Sequence, residues 1–250
     1  MKLRRALPIA AVIPALLAMS ACSGESSDSD GKNPKASASA SAGAKGKQSP
    51  EEKEAAEAKR LGALDGKALE KAAITGKTAG FDAKKIAKAE VEAGRGMEAD
   101  KKACQPLASL IGGFTHIPAV STVHRSLQPG EATNATVGSM WLASHSEDNA
   151  TRVMKELRTA VADCPKGFKT LGLTYGKVES LPAPKLGDEA VGYRITGDIG
   201  KQKVPMTYTV VRSGGVVAAF YGVNMLDQKK AAIPEPVITA QLKRLADATG

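Results

Sequence analysis

The sequence predicts an α+β fold, an antiparallel β-sheet packed against helices, set behind an export signal and a polar linker. Three stretches carry that expectation. Residues 187–225 read as three alternating runs separated by glycine-rich turns, the pattern of a meander. Residues 146–164 read as an amphipathic helix with a capped start, and a last helix after Pro234 and Pro236 sets Ile238, Leu242 and Leu245 on one face.

The chain opens MKLRRALPIAAVIPALLAMSAC. Lys2, Arg4 and Arg5 form a positive start, an apolar run covers residues 6–19, and Met19-Ser20-Ala21-Cys22 closes the segment. The run is shorter than the roughly 20 apolar residues that span a bilayer, so residues 1–21 read as a signal peptide. The close resembles a bacterial lipobox, with Met19 where leucine is commoner. That resemblance implies cleavage before Cys22, a diacylglyceryl group on its sulfur, and a lipid-anchored protein at the outer face of the cytoplasmic membrane. The other reading is ordinary secretion with cleavage after Ala21.

Cleavage before Cys22 removes three positive side chains and takes the net charge from +9 to +6. An exported basic chain does not point to nucleic acid. It suits an anionic envelope, or simply a solvated basic surface. Of the three cysteines, Cys104 and Cys164 remain once Cys22 is acylated. In an oxidising compartment they are expected to form a disulfide. It closes a loop of about 60 residues, worth roughly 4 kcal/mol on the chain-entropy model.

Residues 22–48 are Ser, Ala, Gly, Lys and Asp with almost nothing large and apolar, so they read as a flexible tether reaching roughly 30 Å. Residues 49–98 read as a helical extension leading into the domain, and residues 99–250 as the α+β domain itself. Ser49-Pro50-Glu51-Glu52 carries a capping box, and the helix it starts stops at Gly62 with a mostly alanine face. A short helix is expected over residues 67–74 after Asp65, and a strand over residues 81–86. Residues 99–111 are expected as a helix that Pro106 either starts or kinks. Strands are expected over residues 120–127 and 134–144. The second is apolar on both faces, with Val137 and Trp141 on one side and Met140 and Leu142 on the other, as a central strand would be.

The helix over residues 146–164 has Ser146 as cap and Glu147 and Asp148 in its first turn. Its stripe of Ala150, Val153, Met154, Leu157 and Val161 leads to Cys164, facing inward. Residues 168–178 alternate as one strand. In the meander, turns are expected at 197–200 and 213–215, with a third strand from Val216 to about Met225. Pro205 should sit at a strand start or edge.

From Cys104 onward the order resembles an actinobacterial family of exported sensor domains. They form the extracellular part of some receptor serine/threonine kinases and also occur as free lipoproteins. The likeness rests on ADC at residues 162–164, Gly167-Phe168, GDEA at 187–190 and VVRSGGVVAAF at 210–220, and it spans residues 61–248. It implies a PsbP/Mog1-like sandwich and an extracytoplasmic binding role. It transfers no catalytic residues.

No G-x-S-x-G elbow, H-E-x-x-H, P-loop or G-x-G-x-x-G occurs. His116, His124 and His145 read as surface or turn residues, and Asp188 and Glu189 as local caps of a turn. No cofactor, metal site or catalytic residue is expected. Trp141, Tyr193, Tyr208, Phe220 and Tyr221 are the large aromatics on expected strands. Trp141, Tyr193 and Tyr208 are the candidate ligand-facing residues, with tyrosine hydroxyls as polar handles. The expected function is a non-enzymatic, membrane-anchored binding module for a small-molecule, lipid or envelope-protein ligand. The alternative is a carrier that shields a lipid or glycolipid in the envelope.

Overall fold

In the computed structural model, residues 49–131, 133–200 and 202–249 are described. The expected signal peptide, Cys22 and the tether lie outside them. Helix α1 (Pro50–Arg60) begins on the capping box: Glu52 N–H donates to the Ser49 hydroxyl, and the Glu52 carboxylate accepts from Ser49 N–H. It ends at Leu61, after which Gly62 takes φ 91°. Of its described side chains Ala58 alone is buried, as an alanine face leads one to expect. Helix α2 (Gly66–Ala72) is capped by Asp65, whose carboxylate accepts from Ala68 N–H.

The described strands are β1 (Gly76–Thr78), β2 (Phe81–Lys85), β3 (Ser121–Pro129), β4 (Val137–Ser144), β5 (Phe168–Thr170), β6 (Leu173–Leu181), β7 (Glu189–Ile199), β8 (Gln202–Ser213) and β9 (Val216–Val223). They form one antiparallel sheet in the order β1-β2-β3-β4-β9-β8-β7-β6-β5. The period-two alternation of the strands separates two cores. Trp141, Tyr193, Tyr208, Val210 and Ala219 face α4 (Gln105–Ile111) and α5 (Glu147–Asp163). Met140, Leu142, Val211 and Phe220 face α2 and α6 (Glu235–Thr249). The fold is therefore α+β, a sheet covered by helices on both faces, with β4 central as its two apolar faces predicted.

Long-range polar contacts tie the second face together. The Gln241 side chain accepts from Ile74 N–H and donates to the Ala72 carbonyl, joining α6 to the end of α2. The buried Arg125 guanidinium donates to the Ile74 carbonyl and to Glu70. On the first face, Cys104 and Cys164 are joined as a disulfide with their Cα atoms 5.9 Å apart, linking the lead-in of α4 to the end of α5.

Several segments differ from expectation. The helix expected over residues 99–111 is a 3-10 turn (Lys102–Cys104) followed by α4, with Pro106 in the first helical turn. Proline has no N–H to donate and clashes with the carbonyl four residues back, so the helix starts there. Gln105 holds the non-helical lead-in by accepting from Ala99 N–H and donating to the Met97 carbonyl.

The single strand expected over residues 168–178 is a hairpin. Leu171 and Gly172 take φ 48° and 75°, the left-handed pair of a type I′ turn. Leucine in the slot usually held by Asn hid that signal. The turn expected at 197–200 falls later, because β7 runs on to Ile199 and the chain turns at Gly200, φ 63°. Gly197 is a strand residue whose missing side chain makes room: a Cβ there would meet Met206 Cε at 3.0 Å and the Tyr175 ring at 3.4 Å.

Strand β9 stops at Val223, short of Met225, where the Asn224 side chain accepts from Leu226 and Asp227 N–H and turns the chain. Pro205 is internal to β8, yet the pairing of β8 with β9 begins only at Thr207, so Pro205 stands on a stretch flanked by β7 alone. Helix α3 (Lys88–Ala93) was not expected and buries none of its residues.

Candidate functional site

Strand register places one residue from each of four adjacent strands in a single row. Ser139 on β4 pairs with Tyr221 on β9, Tyr221 with Tyr208 on β8, and Tyr208 with Tyr193 on β7. The rings of Tyr193 and Tyr208 stack at 5.0 Å, Tyr221 tilts against Tyr208 at 5.3 Å, and Trp141 meets Tyr208 edge-on at 6.4 Å. Cross-strand aromatic pairs of this kind stiffen the sheet.

A cleft of 430 Å3 opens over this floor, within the roughly 300–1,000 Å3 of small-molecule sites. Trp141, Tyr175, Met206, Tyr208 and Tyr221 line it from the sheet, Ile111 and Gly113 from the end of α4, and Val91 and Met97 from the strap that contains α3. A wider groove of 1320 Å3 adjoins it and shares Gly94 and Met97. The groove runs along loops and polar side chains, whereas the cleft stands on central strands, which hold side chains in fixed positions.

The strap touches the body through close backbone packing. A Cβ on Gly94 would come within 2.2 Å of the Gly112 carbonyl oxygen. Beyond it, the Arg95 guanidinium lies 4.3 Å over the Phe114 ring, a cation–π contact. His124 Nε2 donates to the Gly113 carbonyl at 2.7 Å, and desolvation holds its pKa below the usual histidine value, which favours the neutral ring. Burial raises the pKa of Tyr208 well above that of a free phenol, and that of Tyr175 and Tyr221 as well. Among the described residues Glu90 alone brings a formal charge to the cleft wall, and it is exposed.

Two of the three candidate ligand-facing residues, Trp141 and Tyr208, are brought together in this wall. Tyr193 is not part of it: the residue is wholly buried and stacks on Tyr208. Its hydroxyl and the Trp141 indole Nε1 are buried without a hydrogen-bond partner. Phe220 faces the opposite core. Tyr175 and Met206 line the cleft without having been among the candidate ligand-facing residues. Met206 stands two residues before Tyr208, which by strand alternation places it on the same face.

The histidines are more enclosed than expected. His145 is buried, with Nε2 3.1 Å from the Thr115 hydroxyl, and desolvation drops its pKa to about 4. His116 Nε2 lies 2.6 Å from a Glu156 carboxylate oxygen, and desolvation outweighs that partner to lower its pKa. Both occupy loops that the sheet and α5 cover, which sequence spacing does not reveal. Asp188 and Glu189 do more than cap a turn. Asp188 accepts from Gly214 N–H at 2.7 Å and from Arg212, and Glu189 opens β7 and pairs with Arg212 and Arg158. Among the described residues no three His, Cys, Asp or Glu side chains cluster as a metal site would require.

No family model and no curated relative matches the chain. A solved structure that resembles it is the extracellular domain of PknH from Mycobacterium tuberculosis, at 12% sequence identity and a TM-score of 0.39, covering 74% of this chain and 97% of that one. At that level the likeness assigns neither ligand nor activity.

Proposed function

We propose that this chain is an exported, non-enzymatic, sensor-like binding module, held at the outer face of the cytoplasmic membrane by a diacylglyceryl group on Cys22, with a small molecule as its ligand. The observation that carries the reading is the cleft over the tyrosine row, a mostly apolar concavity on inner strands of the sheet. The groups that acid–base or nucleophilic chemistry would recruit already have partners. The described cysteines are joined to each other, and the histidines bond to Glu156, Gly113 and Thr115.

Native mass spectrometry of the protein recovered from its own membrane tests this. The expected result is a bound small molecule that is lost in Tyr221→Ala, a residue only half-buried and so removable without collapse of the core. A bound acyl lipid or glycolipid would favour the carrier instead. A bare mass in the unaltered protein would overturn both.

A further inference from the structure

Two hairpin turns lie side by side at one end of the sheet. Thr170 pairs with Leu173 across the β5–β6 turn, and Ile199 with Gln202 across the β7–β8 turn. Thr174 stands opposite Asp198, and one step further along that register brings Leu173 beside Ile199. Both tips are apolar and open to solvent: Leu171 is 67% exposed, Ile199 47% and Leu173 42%. Leu171 also holds φ 48°, and among the described residues Ala79 is the one other non-glycine in the left-handed region. Leucine is strained there, where Asn or Gly fits more easily. An exposed side chain in an unfavourable backbone slot adds nothing to the core, so its use lies outside the chain. Lysines surround the tips. Lys166, Lys169 and Lys203 are exposed, Lys101 donates to the Gly167 carbonyl just before β5, and Lys201 stands between β7 and β8 in the sequence. Against these cations stand Asp100, which accepts from Lys169 N–H, and Asp198, which pairs with Lys203.

We propose that these two turn tips dock on the anionic phospholipid surface of the membrane to which the chain is tethered. Leu171, Leu173 and Ile199 enter the boundary between headgroups and acyl chains, and the lysines meet the phosphates. Such docking rests on the exported, membrane-anchored reading and does not involve the cleft. The apolar area decides against a protein partner. A stable protein interface buries about 1,200–2,000 Å2 and is depleted of lysine at its centre. Three side chains on two tips ringed by lysines fall short of that. They suffice for a lipid surface when a tether already holds the domain there, because docking is then intramolecular. Reach is not limiting. Glu52, near the start of α1, lines the groove beside Ser121, at the opposite end of the sheet from the tips. Strand β7, which joins the two ends, has 11 residues, a length of roughly 35 Å. Residues 22–48 extend to about 90 Å.

The test uses protein recovered from its own membrane and placed in vesicles of brominated phosphatidylcholine, with or without phosphatidylglycerol. Leu173→Trp puts an indole at the tip. The parent's single tryptophan, Trp141, is buried in the fold and serves as control. With phosphatidylglycerol present, the bromines should quench the emission of Leu173→Trp and not that of the parent, and added salt should weaken the quenching. Adding Leu171→Asn should shift the balance from docked to undocked about tenfold, the value of one leucine withdrawn from the interface. The fold should be no less stable for it, because asparagine suits the turn. If Leu173→Trp does not fold, spin-labelled lipid should broaden the methyl signals of Leu171 and Ile199 in the unaltered chain. Quenching no greater than in the parent, or methyl signals that do not broaden, would overturn the docking tip. Equal quenching without phosphatidylglycerol would overturn the anionic surface as its partner. A dimer that Leu171→Asn dissolves would assign the tips to a second copy of this chain and overturn the proposal as well. The mass of the recovered protein reports the diacylglyceryl group separately, so failure of the anchor and failure of the docking tip are told apart.

Discussion

The rings of Tyr193 and Tyr208 lie parallel on adjacent strands, 5.0 Å apart with 2° between their planes. One of the pair lines the cleft and the other supports it from inside the core, its hydroxyl unbonded. Tyr193→Phe removes that orphaned oxygen and keeps the stack. The variant should be as stable as the parent or more stable by up to about 1 kcal/mol, read from the urea midpoint at constant slope. A loss above that size would mean that the hydroxyl has a partner.

Gly112→Ala would push a Cβ to within 2.1 Å of the Gly94 carbonyl oxygen. Backbone cannot yield as a flexible side chain does, so the strap must lift from α4. A loss of about 1–3 kcal/mol is expected, together with weaker binding in the cleft. Unchanged stability and binding would show that the strap does not form a wall of the site.

Stability should fall in mild acid. The pKa of His145 is about 4 in the fold against an ordinary 6.5. Below pH 6.5 the unfolded chain takes up a proton that the folded chain refuses, so stability drops as pH falls and levels off near pH 4. The contribution is on the order of 3 kcal/mol. His116 and His124, also lowered, act in the same direction. Urea unfolding at pH 7.5 and 4.5 should show a smaller difference in His145→Gln than in the parent. An equal difference would remove His145 from the account.

The Cys104–Cys164 bridge should appear in a non-reducing peptide map of natively exported protein. Replacing both cysteines by Ala should lower stability by about 2–5 kcal/mol. Free alkylation of both thiols before reduction would contradict the bridge.

Cys22→Ala should block acylation and release the protein from the membrane or leave it unprocessed. Membrane retention with normal processing would refute the anchor.

What the sequence determined by itself was local. Caps, stripes and stops are written between residues a few positions apart, so Ser49, Asp65 and Ser146 each cap the helix that their own neighbours predict. Alternation likewise separated Trp141 from Met140 and Leu142 before any partner strand was known. Register is not local in that sense. A turn at 197–200 would have set Tyr193 opposite Val204. The observed turn at Gly200 sets it opposite Tyr208, and only then do three tyrosines fall in one row. In that register the missing side chain of Gly197 makes room for Met206 and Tyr175, residues from other strands. The cleft needed in addition the strap around α3, whose short helix buries nothing and so leaves no apolar stripe to read. Burial of His145 and the open hydrogen bond of Trp141 were decided the same way, because enclosure comes from elements distant in the chain and is settled only when they pack.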